Sequence, residues 1–520
     1  MMKKKVLSAE EAANLIDSGD TVAVAGHGSV QLPDKVLQSL ENRFLVTGKP
    51  RDLTLLLPVA PGALKGTGSD RLGHEGLVKR LVTPCVNYFE QRRITELILQ
   101  NKIEAYLFPM GVMFRLLQSI AGRELGVFTC IGLHTFVDPR YGGGKRTSLT
   151  KENLVELLEI SGQEVLFYKA FPIQVSIIRG TTADEDGYVT AEHEPSIEGI
   201  LPLALAAKNS GGKVIAQVNR LARRGSLDPK LVKVPGPLVD YVVVDKDQQS
   251  THKGYNPALV GEIQAPDYIF ESLPLTHEKI ICRRTLFEIQ PNDCVDLGIG
   301  IPVSIGSVGQ EEGLGDQITF CTEHGGFGGI PAEKAIFGTA INPRAILDSL
   351  ETFVFFNGGG LDVACLSFVQ VDRNGNVNVT KHGNMLHSCG GFMDITHRSK
   401  KIIFCGTFTA GELETGIRNS ELHILKEGKH KKFLNQVEEI TAVTNGMLQR
   451  GQKVLYVTER AVFDLASEGL CLTEIAPGVD LEKDILQLME FRPRIAANLK
   501  RMDHRIFSPE PMNLLQQVGA

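Results

Sequence analysis

The chain has 520 residues and a formal net charge of −6, and its apolar and charged fractions, 42% and 22%, are ordinary for a globular protein. This length exceeds one hydrophobic core, and the acidic balance, with no basic block beyond residues 3–5, argues against a nucleic-acid surface. The nine cysteines form no Cys-x-x-Cys pair, which argues against a zinc ribbon or a secreted disulfide framework.

The N-terminal segment predicts a short helix and no targeting signal. Ser8 and Glu11 have the spacing of a capping box, Leu15 and Ile16 supply an apolar face, and Gly19 marks the end, which predicts a helix over 8–18. Acids occur where a signal or transit peptide avoids them, and no apolar run approaches the roughly 20 residues that span a bilayer. We therefore expect an unprocessed cytoplasmic protein.

A β-loop-α unit follows. Residues 21–25 read as a buried strand, Gly26-His27-Gly28 turns the chain, and a helix is expected to begin near Pro33. Neither this Gly-x-Gly turn nor a later one has the third glycine of a dinucleotide-binding fingerprint.

The first half also contains a predicted loop at 138–146, which is too rich in turn-forming residues for a helix or strand. Lys145 and Arg146 of this loop are candidates to face a phosphate of a bound ligand. Further along, 241–244 reads as a β-strand followed by a charged linker.

Three segments of the first half return in the same order in the second. Residues 21–28 match 293–302, 184–190 match 372–378, and 212–217 match 400–405. This repetition predicts an α/β fold of two similar open α/β domains that arose by fused internal duplication. We place the domains at 1–275 and 276–520, with the boundary between about 245 and 285.

Residues 319–331 form the most unusual stretch. A short β-favouring run ends on Glu323, and four glycines follow within five residues, so that backbone can approach a ligand closely. Three more glycine-rich loops, 297–302, 357–362 and 389–394, adjoin apolar runs that read as buried strands. The loops are therefore expected to gather at one edge of a parallel sheet, where backbone N–H groups bind an oxyanion or phosphate.

These four loops, in this order, resemble those of the family I coenzyme A transferases. The resemblance covers nearly the whole chain and is closest to the single-chain short-chain acyl-CoA transferases, which include acetate, propionate and 3-oxoacid CoA-transferases. In that family the acid of a Glu-x-Gly motif is the nucleophile, and here the matching residues are Glu323-His324-Gly325.

The resemblance implies ping-pong transfer of CoA between a short-chain acyl-CoA and a carboxylic acid such as acetate, with a glutamyl-CoA thioester on Glu323. CoA is then both substrate and covalent intermediate, and no tightly bound cofactor or metal is expected. The catalytic set implied is Glu323 with a Gly390 or Gly391 amide for the oxyanion. The CoA-binding set is Gly298, Gly300, Ile301, Asn357 and Gly358. The substrate-pocket set is Gly26, His27, Gly28, Met110 and His324.

Two residues depart from the family pattern. A Pro-Gln-Gly triplet is usual where this chain has Pro109-Met110-Gly111, and a methionine cannot donate a hydrogen bond. The middle residue of the nucleophile motif, more often Asn or Ser, is His324, which is a candidate replacement donor.

Other interpretations remain open at this stage. One is an acyl-CoA hydrolase, in which water intercepts the acyl intermediate, and another is a catalytically impaired protein that binds CoA or a metabolite. His382, His387 and Cys389 lack the spacing of a metal site, and Cys321 is more typical of a small buried residue than of a nucleophile. The resemblance further suggests a homodimer or homotetramer.

Overall fold

A computed structural model describes residues 5–62, 64–265 and 272–514. Its α-helices in these ranges are Ala9–Ala13, Asp34–Thr47, Arg92–Leu99, Met110–Ala121, Ile200–Asn209, His277–Leu286, Ile305–Glu311, Ser349–Asn357, Phe392–Arg398, Thr444–Gln449 and Leu481–Asp484. None of the helices described is both long and apolar enough to cross a membrane.

The first large sheet has eight strands, and every neighbouring pair is parallel. Its central strands are almost fully buried because apolar and β-branched side chains fill both faces. In spatial order the strands are Val6–Leu7, Tyr241–Val244, Lys213–Val218, Val175–Arg179, Thr21–Val24, Leu53–Leu56, Val78–Thr83 and Glu104–Leu107.

The second large sheet has ten strands, of which five central ones are parallel. In spatial order the strands are Ala345–Ile346, Gly326–Phe327, Thr319–Cys321, Cys294–Leu297, Val363–Ser367, Lys401–Cys405, Lys453–Val457, Ala461–Ala466, Gly469–Ile475 and Arg494–Arg501. The strands beyond Lys453–Val457 add two antiparallel pairs and a final parallel pair.

The two large sheets share a strand order, which confirms the predicted fold class. In the first sheet, 241–244, 213–218, 175–179, 21–24 and 53–56 are neighbours in that order, and in the second sheet 453–457, 401–405, 363–367, 294–297 and 319–321 are. The matched sequence segments therefore occupy equivalent places in the two halves.

Smaller sheets flank the two large ones. They comprise Thr182–Asp184 with Val189–Thr190, Arg220–Ala222 and Val232–Val234; Gly126–Thr129 with Val155–Ile160 and Gln163–Lys169; Gln370–Asp372 with Val377–Asn378 and Phe433–Leu434; and the pairs Ile330–Pro331 with Ala340–Ile341, Lys381–His382 with Met385–Leu386, Thr409–Ala410 with His430–Lys431, and Glu414–Arg418 with Glu421–Lys426.

The local predictions at the N-terminus hold in part. Ser8 and Glu11 form the capping box, and Pro33 is the N-cap of Asp34–Thr47. The first helix ends at Ala13, well before the predicted residue 18, because Leu15 and Ile16 turn inward through i→i−3 backbone bonds.

The structure corrects the interpretation of Arg146 as a phosphate-binding residue. Its guanidinium donates two hydrogen bonds to Glu439, at 2.7 and 2.9 Å, and its side chain is 7% exposed. Arg146 therefore links the two halves of the chain and is not available to bind a phosphate. Lys145 donates to the Lys151 carbonyl and to Asn153. The loop itself contains only the 3₁₀ turn Pro139–Tyr141.

Strands of the first large sheet end at Val244, and those of the second begin at Cys294. The domain boundary near residue 275 stays a prediction, and part of the proposed linker lies outside the described residues. The halves pack through helices Met110–Ala121 and Ser349–Asn357, where Phe114 and Phe353 stack with ring centroids 6.0 Å apart.

Candidate active site

A cleft of about 420 Å³ lies between the two halves and is lined by residues that follow the carboxyl ends of parallel strands. From the first half these are His27, Gly28, Val59, Ala60, Cys85, Val86, Asn87, Phe89, Glu90 and Met110. The second half contributes Gly298, Ile299, Glu323, His324, Lys334, Ala335, Phe337, Leu366, Ser367, Val369, Val379 and 387–392. Each half therefore supplies one wall.

Glu323 lies on a three-residue hairpin turn that closes the antiparallel pairing of Cys321 with Phe327. The turn is closed by hydrogen bonds from Gly325 N–H to the Thr322 carbonyl (3.0 Å) and from Thr322 N–H to the Gly326 carbonyl (2.9 Å). Gly325 has φ of +97°, and a Cβ there would lie 2.0 Å from the Leu347 carbonyl oxygen. Only glycine fits, which explains the first glycine after the acid.

The Glu323 carboxyl group is half-buried and receives no hydrogen bond from residues 5–62, 64–265 or 272–514. Burial raises its pKa to about 7, and the carboxylates of Asp394 and Glu198 act in the same direction. An ionised Glu323 is thus weakly solvated and unpaired, which makes its oxygens available for attack on a carbonyl carbon.

Asp394 is a fully buried acid near Glu323. Burial raises its pKa to about 7, although the Gly111 N–H (3.0 Å) and the Asn357 side-chain amide (3.2 Å) donate to it. The Gly111 bond comes from the first half, so Asp394 also joins the two halves.

A third acid, Asp296, is 1% exposed and lies on the strand next to the one that leads to Glu323. Neither of its carboxyl oxygens has a hydrogen-bond partner among the described residues. Burial raises its pKa well above the usual value, and Glu323 adds to the shift. The surroundings of Asp296 therefore favour its protonated form.

The two glycines predicted to bind the oxyanion differ. The structure argues against Gly390 as the oxyanion donor, because its N–H already donates to the Pro84 carbonyl (3.1 Å). The Gly390 carbonyl accepts a hydrogen bond from Met110 N–H (3.0 Å). The N–H of Gly391 has no partner in the described part of the chain, and a Cβ at Gly391 would lie 3.2 Å from Glu323 Cδ. Gly391 is the better candidate for an oxyanion donor.

Two histidines, one from each half, stack at the cleft wall with ring centroids 3.7 Å apart and planes 3° from parallel. His27 Nδ1 is 2.7 Å from one oxygen of Glu198, and His324 Nδ1 is 2.9 Å from the other. Ser196 and Ser349 also donate to this carboxylate, at 2.6 and 3.1 Å.

The charges of this cluster follow from its burial. Burial opposes ionisation of Glu198, but His324 and His27 hold its pKa well below the usual value. Burial lowers the pKa of His324; Glu198 opposes this shift and His27 adds to it. Glu198 is thus an ionised carboxylate that holds both rings in place.

The same three side chains are the one set of His, Cys, Asp or Glu in the described ranges whose ligand atoms all lie within 4.8 Å of one another. The ring nitrogens lie at hydrogen-bond distance from the carboxylate oxygens, which leaves no room for an ion between them. We interpret the cluster as hydrogen-bonded, and the expectation of no metal stays a prediction.

Met110 and Gly298, two of the predicted site residues, line the cleft. Met110 is 2% exposed, begins the helix Met110–Ala121 and lines the cleft beside Gly390. Gly298 lines the opposite wall, where a Cβ would lie 2.9 Å from Leu366 Cδ2. Its neighbour Ile299, which the sequence analysis did not select, is 62% exposed at the cleft.

The structure does not bring five other predicted residues to the cleft lining: Gly26, Gly300, Ile301, Asn357 and Gly358. Gly26 shapes the turn before His27, with φ of +103° and a Cβ position 2.6 Å from the Gln31 carbonyl oxygen. Gly358 caps the helix Ser349–Asn357, and Asn357 reaches the site only through Asp394.

Sequence reasoning missed Glu198, Asp394, Asp296 and the segment 84–90. Asp394 lies inside a glycine-rich loop that was selected, and its position in the first turn of a helix was a usable signal. Glu198 precedes the helix Ile200–Asn209 in an irregular segment without periodicity, so nothing local marked it.

Comparison with known proteins agrees with this geometry. A family model described as coenzyme A transferase matches residues 6–245. The acetate CoA-transferase YdiF of Escherichia coli K12 is 44% identical over 518 residues, covering 99% of this chain and 97% of the relative. The caffeate CoA-transferase of Acetobacterium woodii is 44% identical over 513 residues, covering 97% of each.

Solved structures give the same result. The crystal structure of the acyl-CoA transferase YdiF apoenzyme from Escherichia coli O157:H7 superposes with a TM-score of 0.93 at 42% identity, covering 98% of this chain and 97% of the other. A thioester complex of that protein with CoA superposes with a TM-score of 0.92. The chain therefore belongs to the coenzyme A transferase family and is an enzyme that transfers coenzyme A.

Proposed function

We propose that this enzyme moves CoA between a short-chain acyl-CoA and a carboxylic acid such as acetate, through a glutamyl-CoA thioester on Glu323. The observation that carries the proposal is the Glu323 carboxyl group in the cleft between the halves, beside the Gly391 N–H, neither of which has a hydrogen-bond partner in the part of the chain that the structure describes. The two cysteines of the cleft lining are poor rivals, because burial raises the pKa of the Cys85 thiol to about 12 and that of the Cys389 thiol well above its usual value.

The names of the relatives support the reaction class and the choice of acids. One relative is an acetate CoA-transferase and the other a caffeate CoA-transferase, at equal identity, so related chains use a two-carbon acid and an aromatic one. The thioester complex of YdiF with CoA supports a covalent intermediate. The identity of the acid, for which acetate is our example, is part of the proposal.

The first half-reaction begins with attack of ionised Glu323 on the thioester carbonyl of the acyl-CoA. The carbonyl oxygen becomes an oxyanion, which the Gly391 N–H is positioned to stabilise. Collapse expels CoA thiolate and leaves a mixed anhydride between the acyl group and Glu323. The thiolate then attacks the glutamyl carbonyl, so the free acid leaves and the glutamyl-CoA thioester remains.

The second half-reaction reverses these steps with another acid. Its carboxylate attacks the glutamyl thioester, and the thiolate released returns to the acyl carbon of the new anhydride. A new acyl-CoA leaves, and Glu323 is regenerated as a carboxylate. The first acid leaves before the second binds, so the kinetics are ping-pong and the thioester energy is kept without ATP.

The direct test is the intact mass of the enzyme after incubation with acetyl-CoA. Wild type is expected to gain one CoA thioester, whereas Glu323→Gln and Glu323→Ala form no adduct and exchange no CoA while still binding CoA. Cys321→Ala should keep appreciable activity, and Glu351→Gln, an exposed acid on the helix Ser349–Asn357, is the matched control. Full turnover by Glu323→Ala would refute the nucleophile.

Three finer predictions belong to the same proposal. We propose a cytoplasmic homodimer or homotetramer that needs no tightly bound cofactor beyond its CoA substrate. All nine cysteines are free, which fits a reducing compartment. Light scattering of the purified enzyme measures the oligomer, and its activity after extensive dialysis against a chelator tests the cofactor prediction.

A further inference from the structure

The protons of the stacked histidines can be assigned from their partners. His27 Nε2 is 3.0 Å from the Phe337 carbonyl oxygen, which can only accept, so this nitrogen carries a proton. His27 Nδ1 lies 2.7 Å from a Glu198 oxygen, so Phe337 and Glu198 together fix the orientation of this ring.

His324 binds the other oxygen of Glu198 through its Nδ1 at 2.9 Å, which places the ring proton on Nδ1. Burial lowers the pKa of His324, which disfavours a second proton on Nε2. The neutral ring leaves a lone pair on Nε2. None of the described residues forms a hydrogen bond with this atom, and it is not one of the fully buried side-chain atoms that lack a partner, so it keeps some exposed surface. The His324 side chain lines the same cleft as Glu323.

The transfer reaction does not use this lone pair. Carboxylate, thiolate and thioester exchange places in every step described above, and no step takes a proton from a substrate. A carboxylate-oriented imidazole with a free nitrogen is the arrangement that general-base catalysis requires. The reacting group that does have a proton to lose, and that can enter this cleft, is water.

We propose that His324, oriented by Glu198, is a general base that activates water against the glutamyl-CoA thioester, so that the enzyme also hydrolyses acyl-CoA when no acid acceptor is bound. This inference rests on the proposed function, because its substrate is the thioester on Glu323. The acceptor acid and water compete for one intermediate, and the acid suppresses hydrolysis by occupying the cleft.

The step balances without another reagent. The water oxygen bonds to the glutamyl carbonyl carbon while one water proton passes to His324 Nε2. The tetrahedral intermediate collapses, the carbon–sulfur bond breaks, and the leaving thiolate takes the proton from Nε2 to give CoA thiol. The remaining hydroxyl forms the Glu323 carboxylic acid, which ionises to restore the nucleophile.

The test isolates the thioester and follows its decay. Wild type is loaded with acetyl-CoA, freed of small molecules by gel filtration and incubated in buffer without any carboxylic acid. Intact mass reports loss of the adduct, and a thiol reagent reports free CoA. His324→Asn keeps a donor for Glu198 but lacks the base, and His504→Asn, at an 83% exposed histidine side chain, is the matched control.

We expect His324→Asn to slow acid-independent decay by about 10²-fold, the lower range for loss of a general base. Discharge by added acetate should stay within about tenfold of wild type, and His504→Asn should match wild type in both. His324→Ala should regain decay in free imidazole. Wild-type decay should be slower in D₂O than in H₂O.

The results separate the two proposals. If wild type forms no adduct, the proposed function fails. If both proteins form the adduct and it decays equally fast in His324→Asn and wild type, only the general base is refuted. If His324→Asn does not form the CoA adduct, the test is the decay of the wild-type adduct in H₂O and in D₂O. Equal decay rates in the two solvents would overturn the inference.

Discussion

The pH dependence of thioester formation should report Glu323, which lines the cleft, and the buried acid Asp394, which acts on it electrostatically. Glu323 and Asp394 both have pKa values raised to about 7, mainly by burial, and ionised Asp394 further disfavours ionisation of Glu323. Only ionised Glu323 attacks, so the rate of adduct formation should fall as the pH drops through 7. With a pKa of about 7, roughly one-eleventh of Glu323 is ionised at pH 6.

The perturbation that isolates this effect is Asp394→Asn. The substitution removes the charge but keeps the shape, and its oxygen can still accept from Gly111 N–H. The Asn357 side-chain oxygen has no partner in the described residues, so a rotated Asn357 amide can accept from the introduced amide. We therefore expect a folded protein in which burial still raises the pKa of Glu323 but by less.

The expected result is an acid limb moved to lower pH. If the Asp394 charge accounts for about one pKa unit, the gain is greatest near pH 7, because Asp394 is itself largely protonated at pH 6, and adduct formation near pH 7 should rise by up to about twofold over wild type. The assay is single-turnover mass labelling with acetyl-CoA between pH 5 and 9. A wild-type rate that is flat from pH 5.5 to 8, or an unmoved limb in Asp394→Asn, would contradict the reasoning.

Three further substitutions test the cleft. Met110→Gln adds a donor and removes apolar lining, so exchange with acetate should rise and the relative rate for a longer acyl-CoA should fall; changes below about twofold in both rates would place Met110 outside the reacting region. Gly111→Ala sets a Cβ 2.4 Å from Asp394 Oδ1 and should destabilise the protein by about 1–3 kcal/mol in thermal or denaturant unfolding. Gly325→Ala places a Cβ 2.0 Å from the Leu347 carbonyl oxygen at a positive φ. We expect the CoA adduct to be lost, whereas the melting temperature should fall only slightly.

The sequence was informative where chemistry depends on local chain geometry. Glu323 follows a strand and precedes a glycine with left-handed φ, and both features are visible as a pattern of residues. Repetition of strand, turn and helix in both halves likewise predicted the matching sheets. These are short-range signals, which a sequence retains in full.

The sequence was uninformative where a role depends on a distant partner. Gly390 and Gly391 are equivalent as residues, yet the Pro84 carbonyl occupies only the first amide. Glu198 lies far from His324 in the chain, and the folded halves alone bring them to 2.9 Å. Raised carboxyl pKa values have the same origin, since burial is a property of the packed molecule.

The bonds that hold Gly390 have a consequence for how the enzyme can diversify. Pro84 and Met110 of the first half bind the Gly390 backbone through main-chain atoms alone, so this contact between the halves is independent of the side chains at the cleft. A substitution at residue 110 can therefore change the cleft lining while these main-chain hydrogen bonds between the two walls remain. The cleft can vary in shape and polarity at this position without loss of that contact.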